Sequence, residues 1–245
     1  VKHQDYSPQK FEKYGDDLVV YPVDGYGNHD SIRSIIRTEK PDMLWFMTDP
    51  RFFTWLWEME DEVRSLIPMV YYHVWDNLPY PVYNKVWYNS TDTIVAISKV
   101  THDIVNNVSP DVDLHYLPHA INPEYFKPLE DEQIEELKNK SNFDKNKFLV
   151  FWNNRNARRK QPGTLIHWFK KFLDRVGDDN AMLVMHTDPS DINGPNLQAI
   201  IHNLGINSGQ VQFSTNKLEF EQLAAIYNMA DVTVNISDAE GFGLS

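Results

Sequence analysis

The chain has 245 residues, of which 42% are hydrophobic, 13% aromatic and 24% charged, with 10 Gly and no Cys. That is enough apolar material for one large core or two modest ones, and it excludes a disordered, collagenous or disulfide-stapled protein. With 23 Lys+Arg against 35 Asp+Glu, a net charge of −12 repels a nucleic-acid backbone or an anionic bilayer at long range, so neither is an expected partner.

No apolar run approaches the ~20 residues of a transmembrane helix. The first residues, VKHQDYSPQKFEKYGDD, lack the apolar centre of a signal peptide, and the missing cysteines favour a reducing compartment, so a cytoplasmic protein is expected. Short runs rich in Val, Ile, Tyr and Phe alternate with amphipathic stretches, the rhythm of β-α units on a mainly parallel sheet. Strands are predicted at 17–23, 43–48, 67–74, 93–98 and 113–117, with helices at 29–40, 51–66, 82–89 and 99–108. The Trp-rich helix 51–66 repeats bulky residues on one face and acids on the other, which reads as packing against the sheet. Sequons at Asn89, Asn107, Asn139 and Asn235 are read as incidental, since two lie in or beside core segments.

Pro118, Pro123 and Pro128 then break the rhythm and are followed by the acidic helical stretch LEDEQIEELKNK and the polar SNFDKNK. A connection is placed at 119–146, between an N-terminal domain at 1–118 and a C-terminal one at 147–245. The rhythm restarts with strands at 147–153, 181–186, 210–214 and 231–236 and helices at 162–176, 195–204 and 218–229. Two Rossmann-like, doubly wound α/β domains in series are the simplest account. The last strand runs into SDAEGFGLS where another helix should open, and Lys2 to Asp17 leads into a strand without a Gly-rich opening, so residues are expected to be missing at both ends.

The strongest local signal is Asn154-Arg155-Asn156-Ala157-Arg158-Arg159-Lys160, directly after the strand KFLVFWN and before a helix opening near Pro162. Open α/β sheets bind ligands at strand C-terminal ends, and a helix N-terminus adds N–H groups and a positive dipole end, so the cations suit a diphosphate. Arg155 would fork onto two oxygens and Lys160 act as a point charge; the competing reading is a solvated basic turn. The second signal is Ser237-Asp238-Ala239-Glu240-Gly241-Phe242-Gly243-Leu244. Its glycines let backbone approach a ligand, and Glu240 offers a carboxylate to vicinal hydroxyls; the competing reading is a glycine turn with an acidic helix start. As first and fourth strands, those at 147–153 and 231–236 would be adjacent, bringing phosphate and sugar contacts to one crevice. The turn Ser214-Thr215-Asn216-Lys217-Leu218 in the same crevice would read a base through its backbone, which leaves uridine and guanosine undistinguished.

PHAINPEYF, NRNARRK, LAAIYNMADVTVNIS and EGFGLS together resemble the family 4 nucleotide-sugar-dependent glycosyltransferases. The resemblance implies a GT-B fold, in which two Rossmann-like domains face a cleft and the second binds the sugar donor. It implies that Arg155 and Lys160 clamp the diphosphate, that Glu240 contacts donor-sugar hydroxyls, and that Gly241, Phe242, Gly243 and Leu244 line the pocket with Asn154, Asn216 and Lys217. The family's second Glu would fall three residues beyond Ser245. On the N-terminal side, VYYHVWD resembles the segment whose His reaches the reacting sugar, so His73 is a candidate for a sugar hydrogen bond or for carrying charge. Asp49, Arg51 and Asp76 are candidate acceptor contacts, whereas Ser98 reads as the N-cap of helix 99–108.

The activity implied is transfer of a hexosyl or related group from a UDP- or GDP-sugar to a glycan, lipid or other hydroxyl acceptor, with retention and without a metal or other cofactor. A nucleotide-sugar epimerase and a non-catalytic nucleotide-sugar or glycan-binding module are the alternatives. Asp111-Val112-Asp113 spells a metal-binding DxD but precedes a strand, and Pro118 keeps His115 and His119 off one helical face, so no metal site is expected.

Overall fold

The computed structural model describes residues 7–11, 15, 17–207 and 209–244, and the chain divides into two compact units, 1–119 and 120–245. Much of the segment Lys2 to Asp17 lies outside the described residues.

In the first unit β1 (Gln9–Lys10) and β2 (Val19–Val20) pair antiparallel as a separate ladder. This corrects the expectation of a strand at 17–23 in the main sheet: pairing stops after Val20, and Pro22 has no N–H to continue it. The main sheet is all-parallel, in the order β3 (Leu44–Met47), β4 (Met69–His73), β5 (Thr93–Ala96), β6 (Leu114–Tyr116). α1 (His29–Glu39) is opened by Asn28, whose side chain accepts from Ser31 N–H at 3.0 Å. α5 (Lys99–Val108) is opened by Ser98, whose hydroxyl accepts from Thr101 N–H at 3.0 Å, as its place before the helix predicts.

The expected single helix over 51–66 is instead a 3₁₀ turn at Pro50–Phe52, α2 (Thr54–Trp57) and α3 (Glu60–Arg64). Phe53, Trp55 and Trp57 alternate, a spacing that one helix face cannot present to a core. Breaks at Phe53 and Met59 reset the phase, so Trp57, Met59 and Val63 are buried with Phe46 and Tyr71, while Phe53 and Trp55 pack alongside. The segment predicted as a helix at 82–89 is likewise a 3₁₀ turn followed by α4 (Lys85–Asn89).

The stretch after His119 packs onto the second unit. Asn228 holds it by accepting from Leu129 N–H at 2.9 Å and donating to Lys127 O at 3.0 Å, and Leu137 of α6 (Asp131–Lys140) joins Phe143 against the core. The sheet here is parallel too, in the order β10 (Val232–Thr233), β7 (Phe148–Asn153), β8 (Ala181–His186), β9 (Val211–Ser214), with α7 (Pro162–Val176), α8 (Leu197–Asn203) and α9 (Phe220–Met229) between strands. β10 stands beside β7 at the sheet edge, as the strand order predicted. It is shorter than the expected 231–236, although Val234 N–H still reaches Phe151 O at 2.9 Å. β7 and β8 bury side chains on both faces, Trp152 and Leu183 towards α7 and α8, Phe151 and Val184 towards α9. Each such burial contributes about 1.5–3 kcal/mol, which fixes the strand ends that carry the polar turns.

Candidate functional site

The site-forming turns of the second unit leave the C-terminal ends of adjacent strands. After β7 the chain runs through Asn154 to a 3₁₀ turn at Arg158–Lys160, then Gln161 in the left-handed region (φ 55°) and Pro162 at the first position of α7. Proline fits there because the first helical N–H has no partner to lose. A non-glycine residue at positive φ is strained. Gln161 is held in place because its Nε2 donates to both Asp238 carboxylate oxygens, at 3.0 and 2.9 Å.

Four further bonds lock the turn after β10 onto this one. Lys160 Nζ donates to Glu240 Oε1, Arg159 Nη1 donates to Ala239 O at 2.6 Å and Glu240 Oε2 at 3.3 Å, and Asp238 N–H donates to Arg159 O at 2.8 Å. The structure thus brings Lys160 and Glu240, two of the residues singled out in the sequence, into contact. Lys160 is 8% exposed, unusual for lysine, and its ammonium emerges beside a carboxylate. Burial pushes the Glu240 carboxyl up, but hydrogen bonds from Lys160, Ser237 and Arg159 together more than offset this and hold it below the ordinary glutamate range. Gly243 sits at φ +79°, where a side chain would be strained, and a Cβ there would touch Glu240 Cγ at 3.5 Å. Phe242 and Leu244 are exposed.

Arg155 points elsewhere. Its Nε and Nη2 fork onto Asp191, at 2.6 and 3.3 Å, in the loop after β8. Asp191 also accepts from the Asn193 backbone at 2.9 Å and side chain at 2.8 Å, so it is a fixed anchor. The Arg155 hydrogen bond holds its carboxyl well below the usual carboxylate range, and the guanidinium is correspondingly raised. The next residue, Asn156, is fully buried and donates to Pro195 O at 3.0 Å, which ties the cationic turn to the same loop. Asn154 is half-buried, and Asn216 and Lys217 are exposed in the turn after β9. At the edge of that turn His186 Nδ1 lies 2.9 Å from Ser214 Oγ, and burial lowers its pKa.

In the first unit, His73 ends β4 with its ring fully buried and its Nε2 2.7 Å from the Tyr88 hydroxyl. Burial lowers its pKa to about 3, so the ring is neutral and offers a hydrogen bond; the expected charge-carrying role does not fit this environment. Asp49 caps the turn after β3, accepting from Arg51 N–H at 3.1 Å, and pairs with the Arg51 guanidinium at 3.1 Å. Asp76 is half-buried beyond β4. Asp191 and Gln161 were missed by sequence reasoning, and Arg159 and Asp238, though part of its two strongest signals, were given no role of their own. The acidic loop TDPSDINGP was the available signal for Asp191, while the contacts of Gln161, Arg159 and Asp238 depend on which turns meet. Among the described residues no three His, Cys, Asp or Glu gather as metal ligands, and no helix is long and apolar enough to cross a membrane.

These observations define a two-unit α/β protein with Rossmann-like parallel sheets, the architecture of GT-B glycosyltransferases. No protein-family model matches the sequence, and no curated protein matches it. Solved structures do. Anabaena HepE, solved in complex with UDP and glucose, is 12% identical with a TM-score of 0.66, over 89% of this chain and 61% of that one. The N-terminal domain of Candida albicans trehalose-6-phosphate phosphatase is 14% identical with a TM-score of 0.66, over 86% of this chain and 53% of that one. The α,α-trehalose 6-phosphate synthase of Burkholderia multivorans is 15% identical with a TM-score of 0.61, over 83% of this chain and 52% of that one. The chain therefore spans between about half and three fifths of these proteins, and at such identities the likeness is one of fold.

Proposed function

We propose that this chain belongs to a glycosyltransferase of the family 4 type, which moves a sugar from a UDP- or GDP-sugar to a hydroxyl acceptor, with retention and without a metal. The observation that carries this reading is the Arg159–Lys160–Glu240 cluster at the C-terminal ends of adjacent parallel strands, beside the start of α7. Solved structures of HepE contain UDP and UDP-glucose, and a trehalose-phosphate synthase of the same fold is UDP-forming, which supports a nucleoside diphosphate sugar as the donor here.

In this reading the diphosphate lies over the N-terminal end of α7. Lys160, with one of its three N–H donors committed to Glu240, turns the others to phosphate, and Arg155 presents the guanidinium edge that Asp191 does not occupy. Cations fixed before the reaction stabilise the charge that grows on the leaving diphosphate, where they lower the barrier most. Glu240 accepts from sugar hydroxyls, and Gly241, Phe242, Gly243 and Leu244 line the pocket with Asn154. Backbone at Asn216 and Lys217 meets the base. The acceptor is a glycan, a lipid or another hydroxyl compound.

Calorimetric titration with UDP, GDP and ADP, then with their sugar conjugates, tests this on the chain and on Arg155→Ala and Lys160→Ala. One nucleotide is expected to bind, and each substitution to weaken it by roughly tenfold or more, as charge-assisted contacts imply. Binding that is indifferent to both substitutions would move the donor site elsewhere.

A further inference from the structure

In the first unit α1 and α3 leave a cleft of about 440 Å³ between them. Its apolar lining is Val63 and Met59, which are buried, Ile36, which is half-buried, and Leu66, which is 63% exposed. Arg37 and Lys40 close α1 just before β3 begins, and Leu66 follows α3 just before β4. This end of the cleft therefore lies at the N-terminal ends of β3 and β4, whereas Asp49, Arg51 and Asp76 follow the C-terminal ends of the same strands. It is a second site, whatever those residues bind.

The polar lining is cationic on balance. Arg33, Arg37 and Lys40 succeed one another at spacings of four and three, which aligns them along one face of α1 and its C-cap. Glu62 accepts from Arg33 Nε at 2.7 Å and Nη2 at 2.6 Å, so that pair is neutral. The side chains of Arg37 and Lys40 have no ion-pair partner among the described residues, which leaves two positive charges on the cleft in a chain of net charge −12. A helix C-terminus favours cations, and its dipole alone would account for solvated charges at these positions. The dipole does not account for their lining an apolar cleft. Nor does it explain Lys40 at φ 47°, the left-handed conformation that glycine usually supplies after a helix.

We propose that this cleft binds a single amphipathic phosphate monoester from solution, its apolar chain against Met59, Val63 and Leu66 and its phosphate on Arg37 and Lys40. The volume is that of a small-molecule site, and α3, with five residues, is too short to seat a partner helix of several turns. A phosphate monoester carries a charge of about −1.5 to −2 at neutral pH, which the two cations match. The same net charge of −12 repels an anionic bilayer, so the occupant is a free amphiphile.

Calorimetric titration with decyl phosphate below its micelle concentration tests this. Inorganic phosphate, an uncharged decyl ether of tetraethylene glycol, and phosphatidylcholine vesicles containing phosphatidic acid are the comparisons. Decyl phosphate should bind, and phosphate or the ether alone much more weakly. Arg37→Ala should weaken decyl phosphate roughly three- to tenfold, and Leu66→Glu, which sets a carboxylate on the apolar lining, should abolish its binding. Lys40→Gly separates ligand from fold: glycine suits the left-handed backbone, so this chain should melt no lower than the parent while binding decyl phosphate less tightly. The site is overturned if decyl phosphate does not bind, if either half-ligand binds as well, or if Arg37→Ala and Lys40→Gly leave the affinity unmoved. Attachment to the vesicles without binding of the monomer also overturns it, and makes the surface a membrane contact instead.

Discussion

Lys160 and Glu240, 80 positions apart in the chain, form an ion pair that joins the turn after β7 to the turn after β10. Their side chains are 10% and 19% exposed, so the pair works in a partly dehydrated setting, where each charge depends on the other. The same contact that organises the site therefore also holds it together.

Removing one partner should cost more than removing both. Lys160→Ala leaves the Glu240 carboxylate with Arg159 and Ser237 only, and should destabilise by about 1–3 kcal/mol. Adding Glu240→Gln to it should restore part of the loss. Glu240 is held below the ordinary glutamate range, so the stabilisation is present at neutral pH and lost as pH falls through the folded-state pKa. Urea unfolding of the four chains of the cycle at pH 7 and again near pH 4 measures this. A coupling that is equally large in acid would rule out an ion pair as its source.

The sequence made the strands of the parallel sheets legible because apolar runs such as AMLVMH, buried at nearly every position, have no helical period. Caps were legible for a similar reason: Ser98 and Pro162 act through local backbone chemistry alone. The break-up of 51–66 was not, since the phase resets at Phe53 and Met59 answer to the positions of Phe46 and Tyr71 across the core. The candidate site divides the same way. NRNARRK and EGFG announce themselves at strand ends, and strand order brings them together. That Arg155 would face Asp191 and that His73 would be sealed behind Tyr88 depend on loop packing and helix placement, which no local pattern encodes.

The Arg155–Asp191 pair should matter for binding and hardly for folding. The Arg155 side chain is 65% exposed, and exposed ion pairs add little to stability. Asp191→Asn and Arg155→Ala should therefore melt close to the parent. Both should weaken nucleotide diphosphate binding, Asp191→Asn by releasing the guanidinium from its fixed orientation. Thermal melts and calorimetry on the same samples separate the two effects. A large drop in melting temperature with unchanged affinity would assign the pair to folding instead.

Gly194 is placed where no other residue fits. A Cβ there would stand 2.0 Å from Asn156 Oδ1 and 2.6 Å from the Asn156 carbonyl oxygen, and the latter cannot swing away. Gly194→Ala must push the loop off the cationic turn, at an expected cost of about 1–3 kcal/mol, and carry Asp191 away from Arg155. The loss should show in the unfolding midpoint, with nucleotide affinity falling alongside. An alanine variant as stable as the parent would mean that the loop does not press on Asn156.

His73 should make the protein sensitive to mild acid. Burial lowers its pKa from 6.5 to about 3, so between these values the unfolded chain binds a proton that the folded chain refuses. Stability is then complete above the unfolded-state value and declines as pH falls below it, with a slope approaching ~1.4 kcal/mol per pH unit from this one group. His186, lowered by partial burial, adds to the decline in the same direction. Subtracting a His73→Gln profile, in which the titrating ring is absent and His186 remains, isolates the His73 part. The parent's unfolding midpoint should drop steadily from pH 6.5 to 4.5, while the variant, less stable at pH 7, changes less over that range. Parallel profiles would show that the ring takes up its proton without unfolding, and the sealed environment behind Tyr88 would have to be abandoned.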